Sequence, residues 1–232
     1  MDKSIYPVTI AATDDLEALA VVRRAADRFE KLNGVAPRIL TDSDFAHIDH
    51  RHLAFMGAWL WDLVPREVMT ILYYDWAMLP VRPLDRPLTY QDVGEFAAVP
   101  CPDAARMKST FPFLKKTDLY FNTGLFVAHR STKPIFDRLK AFCSTDSGMD
   151  GQAEQVPFNL LVQLDCKVTQ LPASWNYMVL QADKTTPDAR MIQFVGCMPR
   201  RWRIIEGMLG LLELSEGQRD AETTGQEQSS SG

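Results

Sequence analysis

Two acidic residues stand directly behind apolar runs that have the length and composition of buried strands. Asp75 follows the run at residues 70–74, and Asp14, preceded by Thr13, follows the run at residues 8–12. In open α/β sheets, ligands bind beyond the carboxyl ends of the strands, so acids at these positions are candidates for ligand contact. As ordinary structural residues, Asp14 would be a helix N-cap and Asp75 a turn residue. The strand-like run before Asp75 favours a role in a site there.

The elements that would position these acids alternate between strands and helices. The apolar positions of residues 16–31 recur at helical spacing, and Asn33 and Gly34 are typical of a helix end. Residues 69–74 are apolar on both faces, as a central parallel strand is. Further strands are predicted at residues 37–40, 125–128, 168–172 and 191–195, and further helices at residues 53–63, 134–142 and 154–164. This alternation predicts an α/β domain with a mostly parallel central sheet flanked by helices.

The composition is that of a soluble globular protein. Of the 232 residues, 46% are hydrophobic and 24% are charged, and the net charge is −5. This net negative charge argues against nucleic acid as a partner, because proteins that bind nucleic acids carry a basic surface. The four scattered cysteines form no C-x-x-C pair and no signal sequence precedes the first strand, so we expect a cytoplasmic protein. We predict one domain at residues 1–214 and a disordered polar tail at residues 217–232.

Four groups of residues resemble, in the right order, the motifs of family 8 glycosyltransferases. This is the family of glycogenin and of the lipopolysaccharide galactosyl- and glucosyltransferases. The matching segments are residues 70–84 for the D-x-D region, residues 120–127 for F-N-[ST]-G, Glu154, Gln155 and Asn159 with residues 171–176 for D-Q-x-x-x-N and L-P-x-x-W-N, and residues 192–202 for I-H-F-x-G and K-P-W. The resemblance implies the GT-A fold and a retaining transfer from a nucleotide diphosphate sugar.

The resemblance also implies which residues form the site. The implied nucleotide-binding residues, which contact the base, the ribose or the diphosphate, are Thr13, Asp14, Asp75, Gly196, Arg200 and Arg201. The implied sugar-binding residues are Asn122, Thr123 and Gly124. The implied catalytic residues, near the donor sugar hydroxyls and the reacting face, are Asp150, Glu154 and Gln155. Cations and backbone amides at the diphosphate would stabilise the negative charge that the leaving group gains.

The resemblance is incomplete where the family binds a metal ion. The second Asp of D-x-D is Ala77 in this chain, and Gln193 stands at the position of the family's late metal-binding His. Asp75 is then the one implied metal ligand that remains, and a single carboxylate holds Mn²⁺ or Mg²⁺ weakly. Arg200 and Arg201 offer positive charge to the diphosphate directly. The chain is therefore either a transferase with an altered site or a catalytically degenerate GT-A scaffold that binds a nucleotide sugar or a partner without transfer.

The expected reaction moves a hexose from a nucleotide diphosphate sugar, UDP-linked by resemblance, to an acceptor. A glycan, a lipid-linked glycan and a protein all remain open as the acceptor. Residues 202–214 combine a basic start with many apolar positions and predict a terminal helix. That helix packs on the domain, and its apolar breadth also suits a homodimer contact or a peripheral membrane contact.

Overall fold

The computed structural model describes residues 5–11, 13, 15–48, 56–84, 93–112, 114, 119–143, 155–179, 188–194 and 201–229. The strands are β1 (Tyr6–Ala11), β2 (Arg38–Thr41), β3 (Thr70–Asp75), β4 (Met78–Pro80), β5 (Phe96–Pro100), β6 (Phe121–His129), β7 (Val168–Gln170), β8 (Tyr177–Met178) and β9 (Met191–Gln193). The helices are α1 (Leu16–Asn33), α2 (Leu60–Leu63), α3 (Ala104–Thr110), α4 (Lys133–Cys143), α5 (Gln155–Asp165) and α6 (Arg201–Ser229). Short 3-10 helices lie at Asp42–Phe45, Arg130–Thr132 and Ala173–Asn176.

The central sheet has six strands in the order β2-β1-β3-β6-β5-β7. Strand β1 pairs in parallel with β2 and β3, and β5 pairs in parallel with β7. Strand β6 is antiparallel to both of its neighbours, β3 and β5. All strands but β6 therefore run in one direction, which confirms the predicted α/β fold with a mostly parallel sheet. Because β6 is reversed, its start lies beside the end of β3.

Both faces of the sheet are covered. Along β3, Ile71 packs into one apolar cluster and Leu72 and Tyr74 into the cluster on the opposite face, as expected of a buried central strand. The first cluster includes side chains from α2, α4 and α5. The second contains Phe29 of α1 and reaches the small three-stranded sheet β4-β9-β8. This small sheet follows the carboxyl end of β3, since β4 begins at Met78 and β3 ends at Asp75.

The start of α1 differs in one residue from the sequence-based expectation. Its N-cap is Asp15, whose Oδ1 accepts hydrogen bonds from the backbone N–H groups of Glu17 at 2.9 Å and Ala18 at 3.2 Å. The N-cap role proposed for Asp14 is thus taken by its neighbour, and Asp14 itself lies outside the described residues. The helix ends as predicted at Gly34, whose φ of 72° is the left-handed conformation that glycine adopts without a side-chain clash.

The terminal helix α6 packs where residues 202–214 were expected to pack, but it is longer. Ile205 and Leu209 are buried in a cluster with residues of α1 and the small sheet, whereas Leu211 and Leu214 are each 68% exposed. The helix continues to Ser229, into the segment predicted as a disordered tail. Ala, Glu, Gln and Arg in that segment are favourable in helices, and extending an existing helix needs no new nucleus.

Two further regions differ from the prediction. Of the helix expected at residues 53–63, the described part forms a 3-10 turn at residues 56–59 and only the short helix α2. Gly57 and the bulky aromatic side chains nearby have low helix propensity. The stretch without a predicted element contains β5 and α3. None of the helices in the described part of the chain combines the length and the apolar character that crossing a membrane requires.

Candidate functional site

The candidate site lies at the carboxyl edge of the central sheet, between the end of β3 and the start of β6. Asp75 closes β3 and lies opposite Ile10 of β1. On the other side, Tyr74 pairs with Leu125, so that Gly124 comes next to Asp75 in the antiparallel register. The fold thus brings the predicted nucleotide-binding acid together with the predicted sugar-binding residues, although they are far apart in sequence.

The Asp75 carboxylate is surrounded by groups that stabilise its ionised form. Its Oδ1 accepts a hydrogen bond from the Ala77 N–H at 3.2 Å, the Gln193 side chain bonds to it, and Arg201 attracts it electrostatically. Burial is nevertheless the largest effect and raises the pKa of Asp75, with the Ala77 N–H, Arg201 and Gln193 acting in the opposite direction. A strand-end acid with a raised pKa and specific charged neighbours is typical of functional sites.

Gln193 occupies the space that the missing side chain of Gly124 leaves open. Gln193 lies on β9 and is 4% exposed. A Cβ atom built on Gly124 would stand 2.0 Å from Gln193 Nε2 and 2.8 Å from Asn122 Oδ1, so a larger residue could not be accommodated without displacement. The amide orientation follows from chemistry, because the NH₂ group is the half of the side chain that can donate to the Asp75 carboxylate. Its Oε1 is buried without a partner among the described residues.

This set of groups does not fit a divalent cation. Ala77 offers only a methyl group, is fully buried, and accepts at its backbone oxygen a hydrogen bond of 3.0 Å from the Phe194 N–H. Gln193 presents a hydrogen-bond donor to Asp75, which a cation would have to displace. Within the described residues, His, Cys, Asp and Glu nowhere gather in a group of three able to hold a metal. Mn²⁺ and Mg²⁺ prefer several oxygen ligands, and Asp75 supplies the one carboxylate here.

Asn122 is the centre of a hydrogen-bond network around the predicted sugar pocket. Its Oδ1 accepts from the Gly124 N–H at 2.8 Å and from Asn176 Nδ2 at 3.0 Å. Its Nδ2 donates to Gln155 Oε1 at 3.2 Å, and the same oxygen accepts from the Thr123 N–H at 3.3 Å. Asn122 is 7% exposed, so the network holds residues 122–124 in one conformation.

Three amide side chains of α5, which we call the amide ladder, hold the start of β6. They lie at spacings of four residues on one face of the helix: Gln155, Asn159 and Gln163. Asn159 Oδ1 accepts from the Phe121 N–H at 2.8 Å, and its Nδ2 donates to the Phe121 carbonyl oxygen at 2.9 Å. Gln163 makes the same pair of contacts with the N–H and carbonyl of Leu119. Gln155 contacts Asn122 and Thr123 as described above, and its Nε2 bonds to the Tyr120 hydroxyl at 3.0 Å.

The amide ladder replaces a missing strand partner. Strand β3 pairs with β6 from Thr70–His129 to Tyr74–Leu125, so the first residues of β6 extend past the end of β3. Their buried backbone groups need hydrogen bonds from elsewhere. Gln155, predicted as catalytic, contacts the predicted sugar-binding residues Asn122 and Thr123.

Arg201 is a basic residue whose charge acts on Asp75. It is the first residue of α6, and its guanidinium carbon lies 5.2 Å from the ring centroid of Trp76. Its Nη1 donates to the Phe194 carbonyl oxygen at 3.2 Å. Trp76 precedes Ala77 in the chain, and the Phe194 N–H bonds to the Ala77 carbonyl oxygen, so these contacts place the guanidinium beside the turn that follows Asp75.

The remaining predicted residues are placed only in part. Thr13 follows β1, donates its N–H to the Ala11 carbonyl oxygen at 3.0 Å, and accepts from the Asp15 N–H at its Oγ1 at 3.1 Å. Five predicted residues lie outside the described part of the chain: Asp14, Asp150, Glu154, Gly196 and Arg200. Sequence reasoning did not assign roles to Trp76, Asn176 or Gln163. For Gln163 a signal existed, namely three amides at a spacing of four residues on one helix.

Neither a family model nor a curated protein sequence matches the chain. Solved structures do match. A glycosyltransferase involved in glycosylating the major capsid of PBCV-1 has a TM-score of 0.60 at 12% identity, over 88% of this chain and 98% of that one. The galactosyltransferase LgtC, solved with donor and acceptor sugar analogues, has a TM-score of 0.58 at 14% identity, over 89% and 95%. GlyE of Streptococcus pneumoniae has a TM-score of 0.58 at 11% identity, over 94% and 64%. The chain thus has the GT-A glycosyltransferase fold that the sequence motifs predicted.

Proposed function

We propose that the protein is a glycosyltransferase that binds a nucleotide diphosphate sugar, with UDP as the nucleotide, at the carboxyl edge of its central sheet. The observation that carries the proposal is the meeting of Asp75, residues 122–124 and Arg201 at this edge. In this reading the protein transfers a hexose to a glycan, a lipid-linked glycan or a protein, with retention of configuration. LgtC and the PBCV-1 protein, which share the fold, are themselves sugar transferases.

Each described group has a chemical task in such a site. Asp75 accepts hydrogen bonds from ribose hydroxyls, and Thr13, beyond β1, borders the nucleotide together with Asp14. Residues 122–124 line the pocket of the donor hexose. Arg201, with the predicted Gly196 and Arg200, stabilises the diphosphate as its negative charge grows during bond cleavage.

Two buried amide oxygens near the pocket support sugar binding. Asn176 Oδ1 and Gln193 Oε1 have no hydrogen-bond partner among the described residues, and both side chains contact the group around Asn122 and Gly124. A buried acceptor without a donor costs free energy, which a ligand donor would recover. A hexose offers several hydroxyl donors. Asp150, Glu154 and Gln155 remain the predicted residues at the reacting face, with Gln155 acting through its hold on Asn122 and Thr123.

Isothermal titration calorimetry with UDP, ADP, GDP and free uridine tests the proposal. We expect UDP to bind, and Asp75→Asn to weaken binding by at least about tenfold, because hydrogen bonds from ribose hydroxyls to a charged group are worth about 1.5–3 kcal/mol. Lys140→Gln is a suitable control, since Lys140 pairs with Asp62 and Asp137 on the outside of α4. Absence of binding to every nucleotide and nucleotide sugar would refute the proposal.

A second candidate function is nucleotide-sugar binding without transfer. It is favoured by the two changed metal positions, Ala77 and Gln193. Mass spectrometry of UDP-hexose incubations with candidate acceptors, in EDTA and in Mn²⁺, separates the two functions. Turnover by the natural sequence in EDTA excludes the second candidate. Hydrolysis of the donor by the double variant Ala77→Asp/Gln193→His with Mn²⁺, combined with no turnover by the natural sequence, would establish it.

A further inference from the structure

The candidate donor site contains a guanidinium, that of Arg201, close to the Asp75 carboxylate. We propose that Arg201, stacked on Trp76, holds the diphosphate of the nucleotide directly, and that the nucleotide binds without a divalent cation. This inference rests on the proposed function, since it concerns how the same site holds its donor. It follows from the donor groups present around Asp75, which do not form a metal site.

The first step of the argument is the chemistry of the three positions that would hold the cation. Asp75 is a carboxylate, Ala77 carries no ligand atom, and Gln193 donates an N–H to Asp75. The close approach of Gln193 Nε2 to Gly124 leaves that amide little freedom to turn away. A cation at Asp75 would have to break this hydrogen bond and would gain a single carboxylate ligand.

The second step is the position of Arg201. The indole of Trp76 supports one face of the guanidinium at 5.2 Å, and the Phe194 carbonyl oxygen accepts from Nη1 at 3.2 Å. The stacking and the hydrogen bond from Nη1 together fix the plane of the guanidinium. That hydrogen bond does not use Nη2 or Nε. A fixed planar guanidinium binds phosphate oxygens in pairs and loses little side-chain entropy on doing so. Asp75 attracts Arg201 electrostatically.

The third step is the helix that carries Arg201. The described part of helix α6 begins at Arg201, and the first backbone N–H groups of a helix have no partner within it and carry partial positive charge. Three basic residues of α1 anchor the helix: Arg24 to Glu213 at 2.9 Å, Arg28 to Glu216 at 2.8 Å and Lys31 to Glu216 at 2.9 Å. Arg28 is 7% exposed and also donates to the Pro80 carbonyl oxygen at 2.7 Å, which ties the helix to β4 beside the site. Arg201 is thus presented from a fixed element.

Calorimetric titration of UDP and uridine in EDTA and then in excess Mn²⁺ tests this inference without any variant. We expect the UDP affinity of the natural sequence to change by less than about threefold between the two conditions. Arg201→Gln should lower the UDP affinity at least about tenfold in EDTA and leave the uridine affinity unchanged, because uridine has no diphosphate. The UDP affinity of Arg201→Lys should lie between those of the natural sequence and Arg201→Gln, since lysine keeps the charge but cannot bind two phosphate oxygens in a pair.

Arg130→Gln is the matched control. The Arg130 guanidinium also stacks on a tryptophan, at 4.7 Å from Trp61, and also donates to a backbone carbonyl, but it follows the far end of β6. Arg130→Gln should leave the UDP affinity unchanged. Melting temperatures show whether each variant is folded. Binding of UDP that requires Mn²⁺, or an unchanged UDP affinity in folded Arg201→Gln, overturns the inference while the proposed function stands. Absence of UDP binding in both conditions overturns the inference and the proposed function together.

Discussion

Asn159→Ala tests whether the amide ladder supports the start of β6. Asn159 is fully buried and makes both an acceptor and a donor contact with the backbone of Phe121. Truncation leaves the Phe121 N–H and carbonyl oxygen without partners and away from water. Each buried unpaired group costs about 1–3 kcal/mol, so the free energy of unfolding should fall by about 2–6 kcal/mol. Since typical domains have about 5–15 kcal/mol in total, the variant should still fold, with little stability left.

Comparing Gln163→Ala with Asn159→Ala isolates the effect of burial on the stability loss. Gln163 makes the same two backbone contacts, to Leu119, but it is half-buried and water can replace its amide. Its loss should cost about 1 kcal/mol or less. Urea unfolding followed by circular dichroism measures both values, and equal m-values are needed for the comparison. Equal losses for the two variants, or a loss below about 1 kcal/mol for Asn159→Ala, would refute the idea that the ladder replaces a strand.

Three further predictions concern the site and the helix beside it. Gly124→Ala should displace the Gln193 amide and weaken UDP binding by about tenfold in calorimetry, and it should lower the free energy of unfolding by about 1–3 kcal/mol. Gly207→Ala is the control, because no atom lies within 4 Å of the new methyl group. It should leave UDP binding unchanged and not destabilise the helix. Hydrogen bonds from Lys31 and Arg28 hold the pKa of Glu216 below its ordinary 4.5, so its contribution is present above that pH and lost below it. Glu216→Gln should therefore cost about 1 kcal/mol at pH 7, and urea titrations should show the difference shrinking as the pH falls below 4.5. Burial raises the pKa of Asp75, so its ionised form opposes folding at neutral pH; Asp75→Asn should melt at a higher temperature than the natural sequence at pH 7, and the gap should close as the pH is lowered and Asp75 takes up a proton.

The sequence predicted those elements whose apolar periodicity is strong. Strands β1 and β3 and helix α1 are found within a few residues of their expected bounds. Strand β5 was missed because its five residues, including two alanines and a proline, carry little strand signal. The antiparallel direction of β6 was also invisible, because periodicity reports which face of a strand is buried and says nothing of its direction.

The site was predictable to the extent that it follows from strand ends and motifs. The strand-end rule selected Asp75, and the motif resemblance selected residues 122–124, which the fold places beside it. The contacts of Trp76 with Arg201 and of Asn176 with Asn122 depend on how distant segments meet, and no local pattern contains that information. The same holds for Asp15, which differs from Asp14 as an N-cap only through the exact residue at which the helix begins.

The residues around Asp75 that differ from the family's metal-binding pattern fit one another and the Asp75 carboxylate. If the neighbouring groups were absent, Asp75 would remain as a half-buried carboxylate without a counter-charge, which is unfavourable. Instead, Gln193 and the Ala77 backbone give it N–H donors, and Arg201 gives it a positive charge. Gly124 leaves the space that Gln193 needs. Reversing only one position, as in Ala77→Asp, would add a second carboxylate to a fully buried place beside the first. Each of these residues depends on the others, which agrees with our inference that the site holds a diphosphate without a cation.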